Sequence, residues 1–283
     1  RALAAIGREH GLDVATALLY QRACASPRHT MLAARLRGPA PISVAQDIVV
    51  GVVPGAFYDR HPHTGADGER VIALGRAQGF VVERINTIPF ADAPTNGSLI
   101  ASWIQSHANA GRRVALVTLS KGTMDAAAGV TLVDANIARS IAGWLSLSGL
   151  WNGTALVDWL DRRPLRRLVM RGVMAVSRRP FATVATLRRT HRPPEVPAIG
   201  GRIISVVGTP LRSHLRHRWA PSSYDKLAEF GPSDGGGVVL ADVRHSPGEI
   251  MPLWGVDHYL DPSWDVSPLI SRLLLEAVRP ITD

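Results

Sequence analysis

The sequence predicts an α/β fold, in which a mainly parallel sheet carries helices on both faces. Three observations support this fold class. Short apolar runs alternate with helical patterns from about residue 47 onward, as in chains whose strands are joined by crossover helices. The runs are continuously apolar, which is typical of strands covered on both sides. Apolar residues make up 46% of the chain, which is ample for a buried core.

The strands and helices of this fold can be placed along the chain in order. Strands are predicted at 47–53, 80–85, 113–119, 141–147, 203–207 and 250–254. Helices are predicted at 68–78, 99–110, 122–133 and 267–278, the last of them amphipathic. This order favours one large α/β domain over residues 46–283 rather than two small domains.

A mainly helical extension is predicted before this domain, over residues 1–45. Asp13 stands where it would cap a helix at 14–23. Pro27 then interrupts the pattern, and a second, basic helix is predicted at 30–36.

Residues 151–200 break the alternation of strands and helices. The segment is helical in pattern and ends in a proline cluster, so we predict an inserted cap over the carboxyl edge of the sheet. It holds ten arginines against three carboxylates, and this +7 accounts for most of the chain's net charge of +9. Two interpretations stay open, a solvated helical face and a contact with an anionic surface or an acidic substrate. Nucleic acid is not a predicted partner, because interleaved aromatics and a known binding module are missing.

The sequence gives few indications of location. No stretch approaches the roughly 18 consecutive apolar residues of a spanning helix, so a soluble protein is expected. The single cysteine, Cys24, cannot form an internal disulfide. A cytoplasmic location is therefore favoured, with a secreted or periplasmic one if a presequence was removed. The sequence predicts no oligomeric state.

A serine lies in the turn between the strand predicted at 113–119 and the helix after it. In Thr-Leu-Ser-Lys-Gly, Ser120 would have its hydroxyl exposed, and the helix N-terminus would offer N–H groups to a developing oxyanion. Strand and helix pass closely there, so small residues are needed two positions to either side. Gly122 meets this need, whereas the larger Thr118 must be accommodated. An ordinary helix N-cap serine is the alternative interpretation.

With this turn, the chain from residue 47 onward resembles α/β-hydrolases of the lipase and esterase kind. The resemblance implies that His258, in Gly-Val-Asp-His after the last strand, is the general base. The acid is then Asp234, in Gly-Pro-Ser-Asp-Gly, and the order serine, aspartate, histidine is that of this fold. The alternatives are His214, His217 and His245 for the base, and Asp225, Asp242 and Asp257 for the acid.

The resemblance also implies an oxyanion hole. One N–H comes from Lys121, after the nucleophile, and the other from Ala56 in the loop that follows the first strand, with Phe57 as the alternative donor. Phe57, Tyr58 and Trp151 are the candidates for side chains that line the substrate site. The Pro-Gly in this loop is also a simple turn signal.

The resemblance implies a serine hydrolase that cleaves a carboxylic ester through an acyl-enzyme. The partner would be a small-molecule or lipid-like acyl ester, and no metal or organic cofactor is needed. The segment Asp-Arg-His-Pro-His, from Asp59 to His63, has suitable zinc ligands, but a substrate-lining loop explains it better. An acyltransferase, a thioesterase or a polyester depolymerase would use the same residues, and a non-catalytic binding protein would share only the fold.

Overall fold

Six parallel strands form one sheet within the part of the chain that the computed structural model describes, which is residues 2–40, 47–56, 58–59, 64–89, 91–177, 181–189 and 195–281. The strands are β1 (Ile48–Val53), β2 (Val81–Arg84), β3 (Arg113–Leu119), β4 (Ile141–Leu147), β5 (Arg202–Thr209) and β6 (Glu249–Trp254). Their order across the sheet is β2-β1-β3-β4-β5-β6. All six strands lie where the sequence predicts them, and the predicted α/β class is confirmed.

Helices cover both faces of this sheet. Those in the described residues are α1 (Ala2–His10), α2 (Leu12–Cys24), α3 (Pro27–Arg37), α4 (Glu69–Ala77), α5 (Ala93–Asn109), α6 (Gly122–Val130), α7 (Ala135–Arg139), α8 (Ala155–Asp161), α9 (Pro164–Val176), α10 (Ala182–Thr186), α11 (Ala220–Leu227), α12 (Val239–His245) and α13 (Ser267–Ala277). The short helices α7, α11 and α12 are missing from the sequence prediction, because too few turns are present to establish a period.

Two apolar cores lie on opposite faces of the sheet. In β3, Ala115 and Val117 belong to the core under α3, α4 and α13, whereas Val114 and Leu116 belong to the core under α5 and α6. Successive side chains of a strand point to opposite faces, so a strand buried on both faces must be apolar at every position. This is why these strands read as continuous apolar runs.

The N-terminal helices pack onto the same sheet. α2 contacts β5 and β6, and α3 contacts β6 and α13. The prediction that Asp13 caps a helix is wrong, because α2 begins at Leu12 and its N-cap residue is Gly11. The predicted interruption at Pro27 is confirmed, because α2 ends at Cys24 and a new helix, α3, begins at Pro27. Pro27 occupies the first turn of α3, where proline is tolerated, and the Ser26 hydroxyl accepts the His29 N–H at 3.3 Å.

The segment between β4 and β5 carries α8, α9 and α10. α8 packs on α11, and the Thr154 hydroxyl donates to the Gly236 carbonyl at 2.6 Å, which ties the start of this segment to the body. α9 is largely exposed, with Met174 as its buried residue. No helix among the described residues has the length and apolar character needed to cross a bilayer.

Candidate active site

Ser120 lies in a strained turn at the carboxyl end of β3. Its φ of 49° is in the left-handed region, which non-glycine residues rarely adopt. The surrounding backbone fixes this conformation, since the Ser120 N–H donates to the Leu147 carbonyl and the Ser120 carbonyl accepts the Leu150 N–H, each at 3.1 Å. α6 then leaves the turn so close to β1 that a Cβ atom at Gly122 would lie 2.5 Å from the Pro54 carbonyl oxygen. The backbone of α6 therefore passes so close to the end of β1 that position 122 needs a glycine, as the sequence predicts.

Thr118 is accommodated by hydrogen bonds. Its buried hydroxyl lies 2.8 Å from the Thr123 hydroxyl and accepts the indole N–H of Trp144 at 3.0 Å. The Thr123 hydroxyl lies 3.0 Å from that of Ser146 on the next strand. A buried hydroxyl is tolerated when it is hydrogen-bonded, so this network offsets the cost of a threonine at a tight position.

The structure brings together the serine, the imidazole and the carboxylate that the sequence predicts. The Ser120 Oγ lies 2.8 Å from the His258 Nε2, and the His258 Nδ1 lies 2.9 Å from the Asp234 Oδ2. When the Nδ1–H donates to the carboxylate, the Nε2 accepts from the serine hydroxyl. The other carboxylate oxygen accepts the N–H groups of Gly236 and Gly237, each at 2.8 Å, so Asp234 is held in place on both sides.

The sequence prediction misses the part played by Gly236. A Cβ atom at this position would lie 2.4 Å from the His258 ring, so only glycine leaves room for the imidazole. The run of three glycines from Gly235 to Gly237, directly after Asp234, is the sequence signal for this close approach. It also lets the loop turn back so that the His258 N–H donates to the Asp234 carbonyl at 2.8 Å.

Two opposed influences act on the pKa of the His258 imidazole. Burial, the largest influence, lowers this pKa. The charge of Asp234, its hydrogen bond and the charge of Asp257 together outweigh burial, so the pKa is raised above its ordinary value. The imidazole is thus a stronger base than a free histidine side chain.

The alternative acids and bases have other surroundings. Asp225 pairs with Arg212 at 2.8 Å, and Asp242 is buried with one oxygen that has no partner among the described residues. Asp257 accepts the Tyr259 N–H at 3.0 Å. The alternative histidines lie elsewhere: His214 packs edge-on to Trp254, His217 stacks on Tyr259, and His245 ends α12.

The two predicted oxyanion donors line one cavity with Ser120. Neither the Ala56 N–H nor the Lys121 N–H has a partner among the described residues, and both residues contribute to the cavity wall. The Lys121 side chain is buried and lies 2.6 Å from both oxygens of Asp125. Asp125 in turn accepts the side-chain N–H of Asn96 at 2.8 Å. This buried ion pair fixes the first turn of α6, and with it the direction of the Lys121 backbone.

The cavity has a volume of about 590 Å³ and a mainly apolar wall. The sheet side contributes Leu119 and Leu147, and the segment between β4 and β5 contributes Leu156, Trp159 and Met170. Such a wall suits a ligand with an extended apolar part.

Two of the three side chains predicted to line the site, those of Trp151 and Tyr58, do not line the described cavity. The prediction is wrong for Trp151, because this side chain packs on Trp144 within the core and its indole N–H donates to the Ser205 hydroxyl. Tyr58 is also wrong, because its hydroxyl donates to the Thr87 carbonyl at 2.7 Å and its side chain lies outside the cavity wall. Phe57 lies outside the described residues.

Most of the segment from Asp59 to His63 also lies outside the described residues. Among the residues that are described, no group of three or more histidine, cysteine, aspartate or glutamate side chains could hold a metal ion.

Ser120 is half-buried on a strand-to-helix turn, with a histidine and an aspartate from later loops beside it, and α/β-hydrolases that use a serine have this arrangement. No protein-family model matches the chain, and no curated protein is a significant match in sequence. A solved carboxyl esterase of metagenomic origin is similar, with a TM-score of 0.57 and 19% identity over 85% of this chain and 77% of its own. The mature lipase BlEst2 of Bacillus licheniformis is also similar, with a TM-score of 0.54 and 16% identity over 84% of this chain and 96% of its own. The chain therefore has the α/β-hydrolase fold, as the resemblance predicts.

Proposed function

We propose that the protein is a serine hydrolase that cleaves a carboxylic ester through an acyl-enzyme. The observation that carries this proposal is the pair of hydrogen bonds, 2.8 Å and 2.9 Å long, that joins Ser120 to His258 and His258 to Asp234 at the wall of an apolar cavity. A serine that only caps a helix needs no imidazole partner. This geometry therefore favours a nucleophilic role for Ser120 over a role as a helix N-cap.

The proposed reaction uses these residues in turn. His258 accepts the Ser120 proton as the hydroxyl attacks the acyl carbon, and the N–H groups of Ala56 and Lys121 stabilise the resulting oxyanion. His258 then gives its proton to the leaving alcohol. A water molecule, deprotonated by His258, attacks the acyl-enzyme and releases the acid. Asp234 keeps the imidazole in the required tautomer and stabilises its transient charge.

The acyl acceptor separates the proposed hydrolase from an acyltransferase, and the leaving group, an alcohol instead of a thiol, separates it from a thioesterase. An acyltransferase or a thioesterase would form the same acyl-enzyme, and a polyester depolymerase would differ only in the size of its substrate. The apolar cavity wall and the likeness to a carboxyl esterase and a lipase support an ester with an apolar acyl part.

Turnover of a series of p-nitrophenyl esters with acyl chains of two to twelve carbons tests this proposal. Replacing Ser120 by alanine should lower kcat by about 10⁶ on every ester, since a triad serine contributes about that much. Ser148→Ala is a matched control. Ser148 also has a positive φ, 46°, directly after β4, but its hydroxyl has no partner among the described residues. Equal activity in the Ser120 variant and its parent would contradict the proposal.

A further inference from the structure

The two lysines of the chain line the same cavity. Of 32 lysines and arginines, only Lys121 and Lys226 are lysines, and the wall that contains Ser120 includes both. A lysine presents a compact ammonium group on a flexible stem, whereas the guanidinium group of arginine is broad and planar. In a chain that otherwise uses arginine, this choice indicates that both positions need a compact cation.

The first lysine brings no net charge to the cavity. Its Nζ is buried against the carboxylate of Asp125, at 2.6 Å from each oxygen, so the pair is neutral as a whole. This ion pair stabilises the first turn of α6. Lys121 is therefore not available to bind a charged ligand.

The second lysine has different surroundings. The Nζ of Lys226, on α11, lies 5.4 Å from the centre of the Trp159 ring, and Trp159 itself lines the cavity. The guanidinium groups of Arg163 and Arg166 lie 4.3 Å and 4.9 Å from the same ring. We call Trp159, Arg163, Arg166 and Lys226 the rim cluster.

The rim cluster carries more positive charge than its carboxylate neighbours balance. Arg163 lies 3.4 Å from Glu229, which is shared with Arg162 at 3.6 Å. Within the part of the chain that the structure describes, Arg166 and Lys226 have no carboxylate within ion-pair distance. An indole face attracts cations but does not neutralise them, so the charge of Lys226 in the cavity wall and that of the exposed Arg166 beside Trp159 stay uncompensated.

We propose that the rim cluster binds an anionic group of the substrate, and that Ser120 acts on esters with a carboxylate or a phosphate remote from the ester bond. An anion beside Trp159 would be within reach of these cationic side chains and would form charge-assisted hydrogen bonds with them. The apolar wall between the rim cluster and Ser120 would hold the chain that joins the anion to the ester. This inference rests on the proposed hydrolase function, because it names the substrate class of the same site.

Pairs of esters that differ only in charge test this inference. Mono-p-nitrophenyl succinate, adipate and suberate are compared with their methyl p-nitrophenyl diesters, and a p-nitrophenyl ester with a terminal phosphate is included. For at least one chain length, kcat/KM should be about tenfold higher for the anionic ester than for the neutral one, as one or two charge-assisted hydrogen bonds allow. The phosphate arm shows which of the two anions is preferred.

The variants separate the rim cluster from general effects of charge. In Lys226→Met combined with Arg166→Gln, the ratio of kcat/KM between the anionic and the neutral ester of each pair should fall to about one, through a higher KM for the anionic ester. Arg171→Gln is the matched control, because Arg171 lies on α9 beside the Phe181 ring, 5.7 Å away, and not beside Trp159. This control should keep the tenfold preference.

Four outcomes would overturn the inference. A parent enzyme without a preference at any chain length, or a double variant that keeps the preference, would contradict the rim cluster while leaving the hydrolase function intact. A parent enzyme that cleaves neither kind of ester would overturn the proposed function and the inference with it. So would a Ser120→Ala variant that cleaves the esters as well as its parent.

Discussion

The floor of the cavity and its roof are built in different ways. We define the floor as Ser120, Asp234, His258 and the backbone of Ala56 and Lys121, and the roof as α8 and α9. In the floor, Asp234 and Lys121 are buried and the other residues are half-buried, and the side chains of Ser120, His258 and Asp234 are joined by hydrogen bonds. In the roof, by contrast, several apolar side chains of α9 are exposed to solvent. The exposed fractions are 79% for Leu165, 67% for Leu168 and 88% for Val176.

We expect this difference to separate the residues that carry out the reaction from the residues that select the substrate. A reacting group must be held to a fraction of an ångström, and only a rigid, densely bonded framework achieves this. A region with few buried contacts opens at low free-energy cost, which suits substrate entry and selection. We therefore expect changes in the floor to affect every substrate, and changes in the roof to affect some substrates or only stability.

The ion pair of Lys121 and Asp125 should show the largest difference in stability. Asp125→Asn leaves a buried ammonium group without a charged partner, so we expect the free energy of unfolding to fall by about 3–5 kcal/mol. Glu229→Gln removes an exposed pair beside the roof and should cost less than about 1 kcal/mol. Urea unfolding measures both values. Similar losses in the two variants would mean that the floor is no more tightly built than the roof.

A pair of glycine substitutions compares the two regions at the level of activity. Gly236→Ala places a methyl group against the His258 ring and should lower kcat at least about 100-fold, as a misplacement of about 1 Å does. Gly172 in α9 has no neighbour within 4 Å of an added Cβ, so Gly172→Ala should keep kcat. It should raise stability by about 0.5–1 kcal/mol, since glycine disfavours a helix interior. Full activity in the Gly236 variant would show that the imidazole tolerates a displaced position.

The pH dependence of kcat/KM should show a smaller effect. Protonated His258 cannot accept the serine proton, and its pKa is raised, so activity should reach half of its maximum above the ordinary histidine value of about 6.5. Asp257 is one of the causes that raise this pKa. Asp257→Asn should therefore move the acidic limb of the profile to lower pH without abolishing activity. An unchanged or opposite shift would mean that the charge of Asp257 does not reach the imidazole.

Much of the framework could be predicted from the sequence, because its signals are local. Continuous apolar runs locate the strands, and a serine between the third of them and the next helix locates the turn. The partners of Ser120 needed the resemblance as well, since Asp234 and His258 lie more than a hundred residues further along the chain.

The roof could not be predicted in the same way, because it depends on tertiary packing. Trp151 reads like a residue at the cavity mouth, but the chain turns inward after β4 and places it in the core. The meeting of Lys226 with Trp159 requires α11 to pack on α8, and neither sequence segment indicates this contact. A short helix without a clear period gives no sign of which side chains will face the cavity.

Part of the positive charge of the segment between β4 and β5 is balanced by carboxylates in the structure. Five of its arginines have carboxylate partners inside the described structure, namely Arg162, Arg163, Arg167, Arg188 and Arg189. Contact of this segment with an anionic surface stays a proposal. Sedimentation with vesicles of phosphatidylglycerol, compared with phosphatidylcholine, would test it, and equal binding to both would exclude a role for charge.

Covalent labelling tests the central claim most directly, because only an activated serine attacks phosphorus quickly. We expect a fluorophosphonate probe to add once to the folded protein, and peptide mass spectrometry should place the adduct on Ser120. Labelling should disappear in Ser120→Ala and become much slower in His258→Ala, while Ser148→Ala should label like its parent. An adduct on another residue, or labelling that persists without Ser120, would contradict the account.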